Sequence, residues 1–182
     1  MNRRTKRTVK LTVRSSDGYG AEPPAAASDD PFDSFTYPIE DVEDAVLRRI
    51  DEEEFAGESG EYEMTTTATF LAEDGEASFT YDEAFAAGDE KTKTRISFSA
   101  GDPGVVAVMR SGAVRSVLVF EEGKRHTSVY ETGIVPFEVT TYARRVENAI
   151  SPVTGRGSLY LDFIVTVKGM EPKRTVLTVF TE

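Results

Sequence analysis

The chain has no cysteine, no tryptophan and a single histidine, His126. Without thiols there is no disulfide, no thiolate zinc site and no cysteine nucleophile. One imidazole excludes a His-rich metal centre and weakens any case for histidine-based proton transfer. Long apolar runs are also missing: nothing approaches the roughly 18 consecutive apolar residues of a membrane helix. The N-terminus, MNRRTKRTVKLTVR, is basic but lacks the apolar core of a signal peptide. These absences lead us to expect a cytoplasmic protein without metal or other cofactor.

Positive charge is scarce outside the first turn of the sequence. The net charge is −11, yet residues 1–14 carry six basic groups and no acid, which leaves 15 basic and 32 acidic residues, a charge of −17, on the remainder. An acidic body repels a phosphate backbone, so neither nucleic acid nor an anionic membrane is an expected partner. The basic arm reads more simply as a solvated first strand against an acidic body.

What the chain does have is enough apolar residue to fold, 39% of its 182 positions, in one domain spanning 1–182. In RTVKLTVR, residues 7–14, Val9, Leu11 and Val13 share one face, the period-two pattern of a half-buried strand. Residues 15–38, rich in Pro, Ala, Ser, Asp and Gly, read as a loop. Residues 39–55 change period: Ile39, Val42, Val46, Leu47 and Ile50 form one helical stripe after Pro38, with acids opposite. The spacing predicts one short amphipathic helix within an insertion at about 15–59. Its acidic run Asp51–Glu54 is a solvated face, since four consecutive acids point in different directions.

From residue 60 onward the pattern is β throughout. Asp74-Gly75 is a hairpin signal. KTKTRISFSA places Thr92, Thr94, Ile96 and Phe98 on one face. VMRSGAVRSVLVFEEGKRH predicts strand, turn at Ser111-Gly112, strand, turn at Glu122-Gly123, strand, with Arg110 pairing near Ala113. IVPFEVTTYARRVENAI predicts a longer strand bent near Pro136. About ten sequentially adjacent strands make an antiparallel up-and-down meander, which avoids open edges by closing into a barrel. Residues 105–120 are apolar on both faces: Val105, Ala107 and Met109 oppose Val106 and Val108, while Val117 and Val119 oppose Leu118 and Phe120. The outside there is covered, by the 39–55 helix, or meets a second chain.

The stretches TKTRISF (92–98), VMRSGAVRSVLVFEEG (108–123), YETG (130–133) and GRGSLYLDF (155–163) resemble the YwiB-like family of small bacterial proteins, a domain-of-unknown-function family. The resemblance implies a calycin, that is, lipocalin-like, all-β barrel of 8–10 strands, here with one short helix inserted after strand 1. It implies no activity and no catalytic residues. In related fatty-acid-binding barrels a helical element in the same topological place lids the mouth, a role the resemblance suggests for 39–55.

No group of residues has the types and spacing that reaction chemistry requires, so we expect no enzyme. Ser128 and His126 lie in a row on one strand, whereas a nucleophile and its base usually meet across different elements. The expected function is a barrel that binds a small, partly apolar or carboxylate-bearing ligand inside. An inward Arg beside Tyr is one way to hold a carboxylate, which singles out Arg110 with Tyr130 or Tyr142 as ligand contacts; the simpler reading puts Arg110 at a barrel rim in water. The alternative is a protein-interaction module, a homodimer acting through the barrel exterior and the acidic helix.

Overall fold

Period-two alternation, carried through nearly every segment, dictates the architecture. The computed structural model describes residues 4–19, 61–83, 92–132 and 135–182. These residues form ten strands: β1 (Thr5–Tyr19), β2 (Glu61–Glu73), β3 (Glu76–Glu83), β4 (Thr92–Ser99), β5 (Val105–Ser111), β6 (Arg115–Glu121), β7 (Arg125–Glu131), β8 (Phe137–Asn148), β9 (Gly157–Val167) and β10 (Lys173–Thr181). Each pairs antiparallel with the next, and β1 pairs with β10, so the sheet closes on itself. Closure runs from Leu11 facing Thr181 to Tyr19 facing Lys173. It is extended by reciprocal backbone hydrogen bonds between Lys10 and Glu182.

Alternation and strand direction together sort the interior into two ends. At the end where β2 turns into β3, the inward side chains are apolar and large: Leu11, Phe70, Phe79, Phe120, Leu159 and Leu161 are fully buried. Phe70 and Phe79 have ring centroids 5.2 Å apart, and Phe120 and Phe163 4.6 Å. The β8–β9 connection folds beneath this end. Its Ile150 joins the core, and its Gly155 lies against the Phe70 ring. The barrel is therefore filled and floored at one end.

Three expectations change. β1 continues to Tyr19 instead of ending at Arg14, because Ser15 and Ser16 pair on both sides, with β10 and with β2. Two ladders outweigh the turn preference of Ser, Asp and Gly. The β5–β6 turn comprises residues 112–114, so Arg110 faces Ser116, not Ala113. A two-residue turn would set Val108 against Arg115; the observed register sets Val108 against Leu118 and Val106 against Phe120. Pro136 precedes β8, and the irregularity in that strand is a bulge at Arg144. The Asp74-Gly75 hairpin is as expected, with positive φ at both residues. The predicted helix at 39–55 and most of the insertion around it lie outside the described residues.

At Gly155, φ is +70°, and a Cβ there would sit 2.7 Å from the Phe70 ring. Substitution Gly155→Ala should therefore destabilise the protein by about 2–4 kcal/mol, combining backbone strain and overpacking. Urea denaturation checks this; an unchanged midpoint would mean that the floor is not seated on Phe70.

Candidate functional site

The apolar filling stops part-way along the barrel. One row of residues, each directly facing the next across adjacent strands, marks the change: Tyr81, Thr94, Arg110, Ser116, Tyr130 and Phe137. Two residues closer to the floor, the same strands present Phe79, Ile96, Val108 and Leu118. Facing pairs share a side of the sheet, so the whole row points inward with them.

Arg110 is the centre of this row. Its Nη1 donates to the Tyr130 hydroxyl oxygen at 3.0 Å. Its Nε lies 3.4 Å from Oε2 of Glu83, and both side chains are largely withdrawn from solvent. Tyr81 donates to the other Glu83 oxygen at 3.2 Å. Burial pushes the Tyr81 hydroxyl far above its ordinary titration range, and the Glu83 carboxylate pushes it further, against a smaller opposing effect from Arg110. Burial and Glu83 raise Tyr62 in the same sense. Around this cluster stand three buried hydroxyls, Thr92, Thr94 and Ser116, whose oxygens have no hydrogen-bond partner among the described residues. Thr92 faces Glu83, and Thr94 and Ser116 flank Arg110 on either side.

A second ion pair joins β10 and β1, where β10 is five places round the ring from β5 and β1 is two from β3. Lys173 Nζ is 2.8 Å from Asp17 Oδ2, and the Thr175 hydroxyl donates to Asp17 Oδ1 at 2.7 Å. On the remaining side, the β5–β6 turn and β7 to β9 supply apolar surface, with Val114, Val139 and Val167 packed with Tyr130 and Phe137. The end away from the floor thus combines charge, hydroxyls and apolar surface. Among the described residues, no group of acidic or histidine side chains is placed to hold a metal ion. No helix there is long and apolar enough to cross a membrane.

Of the residues singled out from sequence, the structure brings Arg110 and Tyr130 together and separates them from Tyr142. Tyr142 follows the inward Thr141, so it faces outward, where the Arg125 guanidinium lies 5.7 Å from its ring centroid. His126 lies near the opposite end, with Nε2 3.9 Å from Glu121. Sequence reasoning missed Glu83, Tyr81, Thr94, Ser116, Lys173 and Asp17. Their signal is a polar residue in the inward phase of an apolar strand, visible in Thr92-Thr94-Ile96-Phe98 once the inward face is known.

The raised Tyr81 has a pH consequence. Below the unfolded-state value near 10, both states keep this proton; above it, only the folded state does, so stability falls as pH rises. The fall should approach about 1 kcal/mol per pH unit from this group. Denaturation curves between pH 9 and 11 should be flatter for Tyr81→Phe than for the wild type; equal slopes would place Tyr81 in water.

Comparison with curated proteins finds no match. Among solved structures, the chain is similar to the YwiB protein from Bacillus subtilis, with a TM-score of 0.59 and 17% identity, over 97% of this chain and 93% of that one. At that identity the likeness concerns the fold. A family model described as a domain of unknown function, DUF1934, matches residues 48–179. The ten-stranded closed barrel, the match across most of the chain and the YwiB likeness agree: the chain belongs to the DUF1934, YwiB-like family.

Proposed function

We propose that this lipocalin-like barrel is a non-enzymatic binding protein for a small amphipathic molecule, held at the polar end of the interior with a carboxylate toward Arg110. The observation that carries this reading is the set of orphaned hydroxyls on Thr92, Thr94 and Ser116, clustered around one guanidinium. A buried polar group without a partner costs about 1–3 kcal/mol, so three on the two strands that flank β5 mark a place built for a polar guest. Arg110 suits a carboxylate because its planar guanidinium matches a carboxylate's two oxygens. The apolar wall of Val114, Val139, Val167 and Phe137 would take the rest of the ligand. Tyr142, on the outer face beside Arg125, lies outside the site that this reading uses. The filled floor limits the guest to the half above Phe79, Ile96 and Val108.

The probes are octanoate, octanol and octylamine, titrated against 15N-labelled protein. Octanoate should shift the amide signals of Thr94, Arg110, Ser116 and Tyr130, octylamine should not, and octanol should bind more weakly. Arg110→Met should weaken octanoate binding at least tenfold, the scale of losing a charge-assisted hydrogen bond. Tyr142→Phe should leave it unchanged. Equal binding of all three probes, or octanoate shifts confined to other strands, would sink the proposal.

A further inference from the structure

Among the described residues, the outer face of the barrel departs from polar-out alternation on three adjacent strands, β5, β6 and β7. Met109 on β5, Val117 on β6 and Val129 on β7 are large apolar residues exposed by 44%, 42% and 53%. They lie side by side: Met109 faces Val117, and Val129 is the next position after the Ser116–Tyr130 pair. Ala107 and Val119, half-buried, extend the apolar surface toward the floor. Scattered apolar residues on a surface are ordinary, whereas a contiguous row on three adjacent strands marks a contact.

The ends of the row carry opposite charge. Arg95 on β4 faces Met109, Glu138 on β8 faces Val129, and both are exposed. The outward sequence across five strands is therefore Arg95, Met109, Val117, Val129, Glu138. A two-fold axis running along β6 over Val117 turns this row onto itself reversed. Val117 then meets Val117, Met109 meets Val129, and Arg95 of each copy meets Glu138 of the other. The barrel wall curves away at β4 and β8, and the two long side chains at the rim span that widening gap. Arg115, one step toward the open end and also near the axis, is accompanied by Glu131 from its own β7 and from the second copy, so the like-charged pair is offset.

We propose that this face binds a second copy of the chain through that two-fold arrangement. The row is self-complementary in both shape class and charge, which a surface made for an unrelated partner has no reason to be. It goes beyond the ligand reading, because it uses the outer face and none of the inward side chains. Three half-exposed apolar residues fall short of the roughly 800 Å² per partner of a tight interface, so the dimer is weak and concentration-dependent.

Sedimentation equilibrium between about 5 and 200 µM tests it. The wild type, 20.0 kDa as a monomer, should approach about 40 kDa at the upper concentrations. Val117→Asp should stay monomeric throughout. Arg95→Glu and Glu138→Arg should each weaken the dimer at least fivefold, and the double variant carrying both should recover it. Circular dichroism and denaturation midpoints for every variant distinguish lost association from lost folding. A wild type that is monomeric at 200 µM overturns the proposal and leaves the patch to a different partner. A dimer indifferent to Val117→Asp, or a double variant no better than the singles, overturns it as well.

Discussion

The pairing of the first strand with the last is the constraint on which everything else depends. Until β1 lies along β10, the sheet has two open edges and no inside. Once Leu11 faces Thr181 and Val13 faces Val179, the period-two pattern of all ten strands acquires a single meaning: one phase is interior, the other exterior. This closure also accounts for the length of β1. Its distal residues Ser15, Ser16 and Asp17 have poor strand preference, but they sit between two ladders, and Asp17 is held by Lys173 and Thr175. The contact joins residues more than 150 positions apart, so closing it costs more chain entropy than any of the local hairpins.

Closure also divides the interior unequally. Phenylalanines from β2, β3, β4, β6 and β9 take the floored end, and the β8–β9 connection seals it. The other end receives two ion pairs, three orphaned hydroxyls and an apolar side. A buried ion pair contributes little net stability compared with apolar residues of similar size. Two of them at one end of the interior, beside a layer of hydrocarbon, are the groups that the proposed ligand reading puts to use.

Much of this was legible in the sequence. The alternation of Thr92, Thr94, Ile96 and Phe98, or of Val9, Leu11 and Val13, defines strands and their faces without help. The Asp74-Gly75 hairpin is written in residues whose backbone preferences admit few other turns. The Arg110–Tyr130 contact follows from an Arg in the inward phase of an apolar strand, which must find a polar partner. Tyr142 could not be placed the same way. Its neighbours Val139, Thr140, Thr141 and Ala143 are apolar or hydroxylic on both faces, and one residue of register decides between inner wall and outer surface. Glu83 was hidden for a different reason: it ends its strand, where periodicity is weakest, and its partner lies two strands away. The β5–β6 turn shows the same limit, since only pairing Val106 with Phe120 and Val108 with Leu118 selects the longer loop.

The ring of ladders is also uneven. β6 and β7 share only two facing pairs, Arg115 with Glu131 and Ser116 with Tyr130, whereas their outer neighbours are paired along most of their length. Below that point, the inward Thr141 of β8 takes over, its hydroxyl 3.2 Å from the Val119 carbonyl and 3.3 Å from that of His126. A single side chain thus stitches two strands where the main chain does not. Like a seam in a tube, this line fixes where the wall yields first: amides of β6 and β7 below Ser116 should be the earliest to exchange with solvent hydrogen, while β1, β9 and β10 hold. The circular order of the strands thereby becomes a linear order of opening, beginning at one hydroxyl.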